Sequence, residues 1–364
     1  MPAPSTILDL GHQPLANAYA DTAEQSVALP RYPLKVVRDG DVLHLTEAVP
    51  PEILYTGYPY RSGVSAPFRD HCAHLAQYAS RFNPRSVMDI GGNDGTMLTH
   101  FRGERWNVEA CADFKDENEC KAINFIHGTW PCVAPHVDMI ISTNVFQHTE
   151  GYLAFIDAVA HTLNDNGVWI LEFPWMANTV MSGQYDQVYH EHYYYWNLTP
   201  LRRVAGYYGL RIIDAQGFAI HGGSMRIVFQ KSKGDHHPAT EMFAGHEKLA
   251  DYAGWQAVTR AKIIGQRQAL KQMRGTVAGF GAAAKGTVFL NAVGSDAFRC
   301  VVDDTKTKQG KFMPGTPVPI ISMDDFMADP TDNVVVLAHN FYDAIETRLR
   351  TAGYKGAVWN LMTA

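Results

Sequence analysis

Between residues 86 and 173, short apolar runs of strand length alternate with stretches whose apolar residues recur every three or four positions. Each change of period marks a switch between strand and helix. The pattern predicts strands over 86–90, 108–112, 125–127, 137–142 and 168–173, a helix opening at Gly95, and a second helix over 151–163. Alternation of this kind builds a doubly wound α/β sheet. Beyond it, Thr199-Pro200 reads as N-cap and first-turn proline of a helix reaching Tyr208, followed by strands over 211–216 and 224–230.

The flanks read differently. Residues 1–80 carry short apolar runs broken by turn signals at Pro30, Asp39-Gly40 and Pro50-Pro51, which predicts a small irregular module of strands and loops. A helix is expected from about Ala66, carrying His71 to Ala79. After a polar linker over 232–240, residues 241–274 have the spacing of one or two long helices. A second α/β unit follows, with strands over 276–279, 299–302, 334–338 and 357–361. The expected division is 1–80, 81–232, 233–274 and 275–364, the last a smaller Rossmann-like unit.

Composition narrows the classes. With 364 residues and 46% hydrophobic content the chain can bury more than one core. A net charge of −6 without any run of Lys or Arg argues against nucleic acid as a partner. The five cysteines form neither a C-x-x-C pair nor a regular framework, so reduced thiols are expected and cysteine-held zinc is not. The opening Met-Pro-Ala-Pro-Ser lacks a basic region followed by an apolar one, and no apolar run approaches a membrane span. A soluble, cytoplasmic protein is expected; its oligomeric state is not legible.

The most informative segment is Val87-Met-Asp-Ile-Gly-Gly-Asn-Asp-Gly-Thr96, an apolar strand that ends in a glycine-rich turn. Glycines let backbone approach a ligand, and a following helix would offer unpaired N–H groups. The pattern Asp-x-Gly-x-x-x-Gly fits S-adenosylmethionine (SAM) better than the G-x-G-x-x-G dinucleotide fingerprint. An antiparallel strand pair at the far edge is also where SAM-binding sheets differ from dehydrogenase sheets. Expected donor contacts are Asp89, Gly91, Gly92, Asn93, Gly95 and Asn144, with Asp113, taken as the end of the second strand, in the ribose position.

Two histidine segments should emerge at the carboxyl ends of strands, the ligand side of an open α/β sheet: Asn144-Val-Phe-Gln-His148 and Tyr189-His-Glu-His192. Imidazole near neutral pKa suits proton abstraction beside a carbonyl. A metal site through His148, His190 and His192 is the alternative, although no carboxylate beyond Glu191 completes a shell. A purely structural role fits His190 best. His221-Gly-Gly-Ser224 lies before the last strand of the sheet and can line the same cleft, while His236 and His237 are expected to face solvent. In the second unit, Phe280-Gly-Ala-Ala-Ala-Lys-Gly286 offers N–H groups and Lys285 to a phosphate, with Lys306, Lys308 and Lys311 nearby. A nicotinamide cofactor competes there, and a turn that merely packs helix on strand is a third reading.

In order along the chain, Leu10-Gly-His-Gln-Pro-Leu-Ala-Asn17, Tyr58-Pro-Tyr-Arg-Ser-Gly-Val-Ser65, Asp89-Ile-Gly-Gly-Asn-Asp-Gly95, Tyr189-His-Glu-His192, His221-Gly-Gly-Ser224, Gly281-Ala-Ala-Ala-Lys285 and Gln309-Gly-Lys-Phe-Met-Pro-Gly-Thr-Pro-Val-Pro-Ile320 resemble the nucleotide-sugar C-methyltransferases. The resemblance spans nearly the whole chain. It implies a SAM-dependent enzyme acting on a nucleotide-diphosphate 4-keto-deoxyhexose, whose best-known members methylate C3. It implies His192 as general base, Glu191 and Tyr189 as its assistants, and His148 close to the sugar. It further implies a sugar-covering segment with Tyr58, Tyr60 and Ser62, further substrate contacts at His221 and Ser224, and a carboxyl-terminal unit holding the diphosphate through Lys285, Lys308 and Lys311. One departure stands out: the cysteine-rich zinc module usual at the amino terminus is missing, with no cysteine near residues 37–41, so no metal is carried over.

The expected chemistry is removal of a proton next to a ketone by His192, followed by attack of the enolate carbon on the donor methyl. The rivals are an O- or N-methyltransferase using the same histidines, a nucleotide-sugar- or NAD-binding oxidoreductase using the second glycine turn, and an interaction scaffold. The last leaves the Tyr-His-Glu-His cluster unexplained.

Overall fold

The computed structural model describes residues 4–54, 61–64, 66–218 and 222–362. In chain order the strands are β1 (Ser5–Pro14), β2 (Arg31–Asp39), β3 (Val42–Leu45), β4 (Ser86–Ile90), β5 (Glu104–Glu109), β6 (Asn124–His127), β7 (Val137–Thr143), β8 (Leu163–Pro174), β9 (Tyr194–Tyr195), β10 (Leu210–Phe218), β11 (Ser224–Lys231), β12 (Val277–Phe280), β13 (Phe298–Val302), β14 (Ile320–Ile321), β15 (Asn333–Val336) and β16 (Ala357–Trp359). They form three sheets of order β1-β2-β3-β9, β10-β11-β8-β7-β4-β5-β6 and β14-β13-β12-β15-β16.

The central sheet is parallel except at β11, which runs antiparallel between β8 and β10. The expected antiparallel edge is therefore present, with the last strand inserted second from the edge. Strand order reverses between β4 and β7, so the crevice at their carboxyl ends is the switch point where open α/β sheets bind ligands. The carboxyl-terminal sheet is wholly parallel and reverses between β12 and β15.

The amino-terminal strands form a more regular antiparallel sheet than the pattern suggested, and they do not close it alone. Its fourth strand is β9, from the segment just after Tyr189-His-Glu-His192, with His44 opposite Tyr194. Ser26 Oγ donates to the Met313 carbonyl at 2.8 Å, Thr287 Oγ1 to the Ala16 carbonyl at 2.9 Å, and Tyr19 OH to the Ala282 carbonyl at 2.6 Å. One apolar core runs from Leu8 and Leu34 through Trp169 and Trp196 to Phe289 and Met362, joining all three sheets. Stitching of this kind holds the amino-terminal sheet in place. A second core lies under the helix Ala66–Ala79, and a third lies on the outer face of the carboxyl-terminal sheet.

Several expectations need correction. No α-helix opens at Gly95; a 3-10 turn, Met97–His100, stands there and stops at Phe101, which is extended and buries its ring. The chain then turns at Gly103, φ +81°, where a Cβ would sit 2.3 Å from the Arg85 carbonyl oxygen. The second strand ends at Glu109, three residues short of the expected 112, where the Glu109 carboxylate accepts from Cys111 N at 2.8 Å and turns the chain. The helix Leu198–Tyr207 starts one residue before Thr199, making Pro200 its third residue. His236 is partly buried and accepts a hydrogen bond from Ile212 N at 3.0 Å, whereas His237 is exposed as expected. Among the described residues no helix is long and apolar enough to cross a membrane.

Candidate active site

The first glycine turn sits in the β4/β7 crevice. Gly91, Asn93 and Gly95 all adopt positive φ, at +72°, +52° and +75°. A Cβ on Gly91 would lie 2.6 Å from Val145 Cγ2, so only glycine lets the two strand ends approach this closely. Beneath the turn stands a pair of buried asparagines that sequence reasoning missed. Asn107 accepts from Gly92 N at 3.1 Å and donates to the Asn93 carbonyl at 2.9 Å; Asn118 donates to that same carbonyl at 3.0 Å and to Phe114 O at 2.8 Å. Ser62 N and Gly63 N donate to Asn93 Oδ1 and Asp94 Oδ2 at 3.0 and 2.7 Å, tying the segment before the helix Ala66–Ala79 to the turn.

Carboxylates surround the turn. Asp89 is wholly buried, its Oδ1 lacks any hydrogen-bond partner, and its pKa is pushed well above the ordinary value by burial and by the negative charges of Glu109 and Asp94. Glu109 Oε2 accepts from Asn93 N at 2.9 Å, so it is Glu109 that stands beside the turn at the end of β5. Asp113 instead lies exposed in the 3-10 turn Ala112–Phe114. Acids gathered around an N–H-lined turn suit a cationic ligand and repel a polyphosphate. A sulfonium nucleoside that also carries an ammonium fits these residues; a dinucleotide fits them poorly.

The loop after β7 carries the site onward. Asn144, φ +54°, donates its N–H to the Glu172 carbonyl at 2.9 Å, and Val145 meets Gly91. Four residues on, His148 reaches the second histidine segment: its ring centroid is 5.2 Å from that of His192. His148 Nδ1 bonds the Glu191 carbonyl, and His192 Nδ1 bonds the Gln187 carbonyl at 3.1 Å. A carbonyl only accepts, so each Nδ1 carries hydrogen and each Nε2 is the basic nitrogen of the neutral ring. Burial lowers the pKa of His148, keeping it neutral. The Tyr189 ring lies against His192, tilted by 36°, with centroids 3.9 Å apart. A small pocket beside His192 is lined by Gln147, Pro174, Met176, Thr179, Gln187, Tyr194 and Tyr195.

The remaining members of the motif turn elsewhere. The Glu191 carboxylate accepts from Asn17 Nδ2 at 2.8 Å; its Oε2 is buried without a hydrogen-bond partner, and burial raises its pKa. His190 packs against the Tyr32 ring, bonds the Tyr32 carbonyl at 3.3 Å, and is driven by burial to a pKa of about 4. The three histidines therefore do not converge: His190 serves the amino-terminal sheet. Among the described residues no group of three or more His, Cys, Asp or Glu could hold a metal ion.

Tyr58, Tyr60 and His221 lie outside the described residues. Ser62 is buried at the glycine turn, and Ser224 is buried at the start of β11, opposite Pro174. The three lysines of the carboxyl-terminal unit have different partners. Lys285 follows the second glycine turn, and burial lowers its pKa to about 8. Lys308 donates to the Ala282 carbonyl at 2.7 Å over the Tyr19 ring. Lys311 pairs with the exposed Asp21 at 3.4 Å. Asp303 Oδ2 takes the Ala282 N–H at 2.7 Å, so a carboxylate already occupies one donor of that turn.

Comparison with known proteins completes the picture. Residues 61–215 match a family of methyltransferase domains, and residues 219–362 match the C-methyltransferase C-terminal domain. C-methyltransferase NovU of Streptomyces niveus is 24% identical over 365 residues, covering 92% of this chain and 87% of that protein. Among solved structures, the 1,6-didemethyltoxoflavin-N1-methyltransferase of Burkholderia thailandensis is similar with a TM-score of 0.41 and 13% identity over 54% of this chain and 97% of that one. Magnesium protoporphyrin IX methyltransferase (ChlM) of Synechocystis PCC 6803 is similar with a TM-score of 0.38 and 16% identity over 46% and 83%. The strand order, the acid-ringed glycine turn and the first family match together define a SAM-dependent methyltransferase. The second match makes it, more particularly, a C-methyltransferase.

Proposed function

We propose that this C-methyltransferase acts on a nucleotide-diphosphate 4-keto-deoxyhexose, removing the C3 proton beside the ketone and methylating the resulting enolate. The observation that carries the reading is the pair of imidazoles of His148 and His192, each with Nδ1 fixed on a backbone carbonyl, one loop away from the glycine turn. In this reading His192 Nε2 takes the proton, and the C–H electron pair passes into the enolate. His148, kept neutral, stands beside it to orient the keto-sugar. Tyr189 holds the His192 ring by close ring contact, and Glu191 holds the motif to Asn17. SAM, when bound, supplies an electrophilic methyl whose bond to sulfur breaks as the new C–C bond forms. The donor is held by the turn from Gly91 to Gly95, with Gly92 and Asn93 presenting backbone, Asn144 at the neighbouring strand end, Asp89 available to its ammonium and Glu109 to its ribose. Asp113 is too far along the chain from the strand end to serve in that role. Ser62, Ser224, Lys285 and Lys308 remain substrate contacts in this reading; the nucleotide and sugar are those of the resemblance.

Incubation with methyl-labelled SAM and a panel of keto-sugar nucleotides tests this. Carbon-bound label next to the ketone, seen by product NMR, is the expected result. Label on oxygen or nitrogen overturns it. Solvent deuterium entering C3 in the presence of a non-reactive donor analogue is the expected companion signal.

A further inference from the structure

A second polar cluster lies at the seam between the central and carboxyl-terminal sheets. His339 follows β15 and Lys285 follows the turn after β12, so both sit at the point where the carboxyl-terminal sheet reverses order. Facing them is Asp186, wholly buried, from the loop leading into Tyr189-His-Glu-His192. Asp186 Oδ2 is 3.0 Å from His339 Nε2, but the two are not aligned as a hydrogen bond, and neither Asp186 oxygen has a hydrogen-bond partner. Its charge also acts on Lys285 and Lys262. The next residue, Gln187, is the one whose carbonyl holds His192 Nδ1, and its side chain reaches Gln184, which donates to the Gly222 carbonyl at 2.9 Å.

A buried carboxylate is expensive, and an apolar pair would close the same seam at less cost. What a close contact between two polar groups adds is a fixed distance across the seam. We propose that Asp186 and His339 form a clamp across the seam that positions His192, by fixing the loop whose Gln187 carbonyl sets the ring's tautomer and direction. Neither residue touches the reacting atoms; both act through Gln187. The clamp makes the carboxyl-terminal sheet a working part of the transfer site. It rests on the reading of His192 as the base.

The test uses the near-isosteric variants Asp186→Asn and His339→Gln, singly and together, in the full chain. Expected is a fall in kcat of about tenfold to a hundredfold, the range for a modest misplacement of a reacting group, with KM for SAM within about twofold. The double variant should be no worse than the worse single one, as for two residues of one interaction. Labelled-histidine 15N NMR reads the tautomer directly: the His192 signal, identified by its loss in His192→Asn, should report Nδ1–H in the wild type and a mixture of tautomers in both single variants. Unchanged His192 nitrogen shifts in both single variants overturn the clamp, whatever happens to turnover. Failure of the wild type to methylate any keto-sugar counts against the substrate reading alone, because the NMR measurement decides the clamp without turnover.

Discussion

His148 and His192 come from different strand ends, yet their rings stand 5.2 Å apart, and His148 takes as its Nδ1 partner the carbonyl of the residue preceding His192. The His148 ring is thus set by the backbone of the His192 segment, while the His192 ring is set by the Gln187 carbonyl. Replacing His192 by Asn keeps the volume and a polar edge but removes the basic nitrogen. Transfer should fall by about 10²–10⁴-fold, the usual contribution of a positioned base. SAM affinity, which the proposed reading assigns to the turn from Gly91 to Gly95, should hold to within about threefold by calorimetry. Turnover at the wild-type rate would remove His192 from the mechanism.

Acid should weaken the fold through His190. Its pKa is about 4 in the folded chain because it is buried, against about 6.5 when exposed. Between these values the unfolded chain binds a proton that the native chain does not, so stability falls as pH drops through 6.5 toward 4. At pH 5 this amounts to about 2 kcal/mol relative to pH 7. His190→Gln abolishes that contribution. The difference in urea-unfolding free energy between pH 7 and pH 5 should shrink by about that amount, and an equal acid sensitivity in the variant would place the titration elsewhere.

Glu247 caps a helix it does not belong to. Its carboxylate accepts from Leu198 N at 2.5 Å, Thr199 N at 3.0 Å and Trp175 Nε1 at 3.1 Å, besides the Thr199 hydroxyl. Glu247→Ala leaves buried donors unmatched and should cost about 2–4 kcal/mol by urea titration. Glu247→Gln keeps an acceptor and should cost about 1 kcal/mol. A neutral effect of the alanine variant would mean that water replaces the cap.

The same example explains what could be read from the chain. β4 and β7 were legible because they are buried on both faces and read as continuous apolar runs. The end of β5 was not, since Ala110, Cys111 and Ala112 continue the small apolar character past Glu109 and only the carboxylate's bond to Cys111 N reveals the turn. The helix expected after Gly95 failed because Phe101 is drawn into the core and Gly103 must turn beside Arg85. Thr199 looked like an N-cap because the true cap, Glu247, is distant in sequence. His148 and His192 could be placed on the ligand side from strand ends alone, whereas the contacts of Asn17 with Glu191 and of Asp186 with His339 join segments that no local pattern connects.

The asparagine pair under the glycine turn gives the sharpest test of donor binding. Asn118 Nδ2 donates to the carbonyls of Asn93 and Phe114, its Oδ1 accepts from Asn107 Nδ2 at 2.9 Å, and its side chain is wholly buried. A Cβ on Gly95 would fall 2.3 Å from that Oδ1, so turn and side chain leave no slack. Asn118→Asp preserves shape but replaces a donor by an acceptor facing two carbonyl oxygens, and adds a fourth acid beside Asp89, Asp94 and Glu109. Destabilisation of about 2–4 kcal/mol is expected, from unmatched buried carbonyls and charge repulsion. SAM binding should weaken about tenfold, because Asn93 and Gly95 lose their support. The two effects separate by measurement: calorimetry at saturating protein stability, well below the unfolding temperature, reads the affinity alone. Unaltered SAM affinity in a folded variant would show that donor binding does not depend on the asparagine support of the turn.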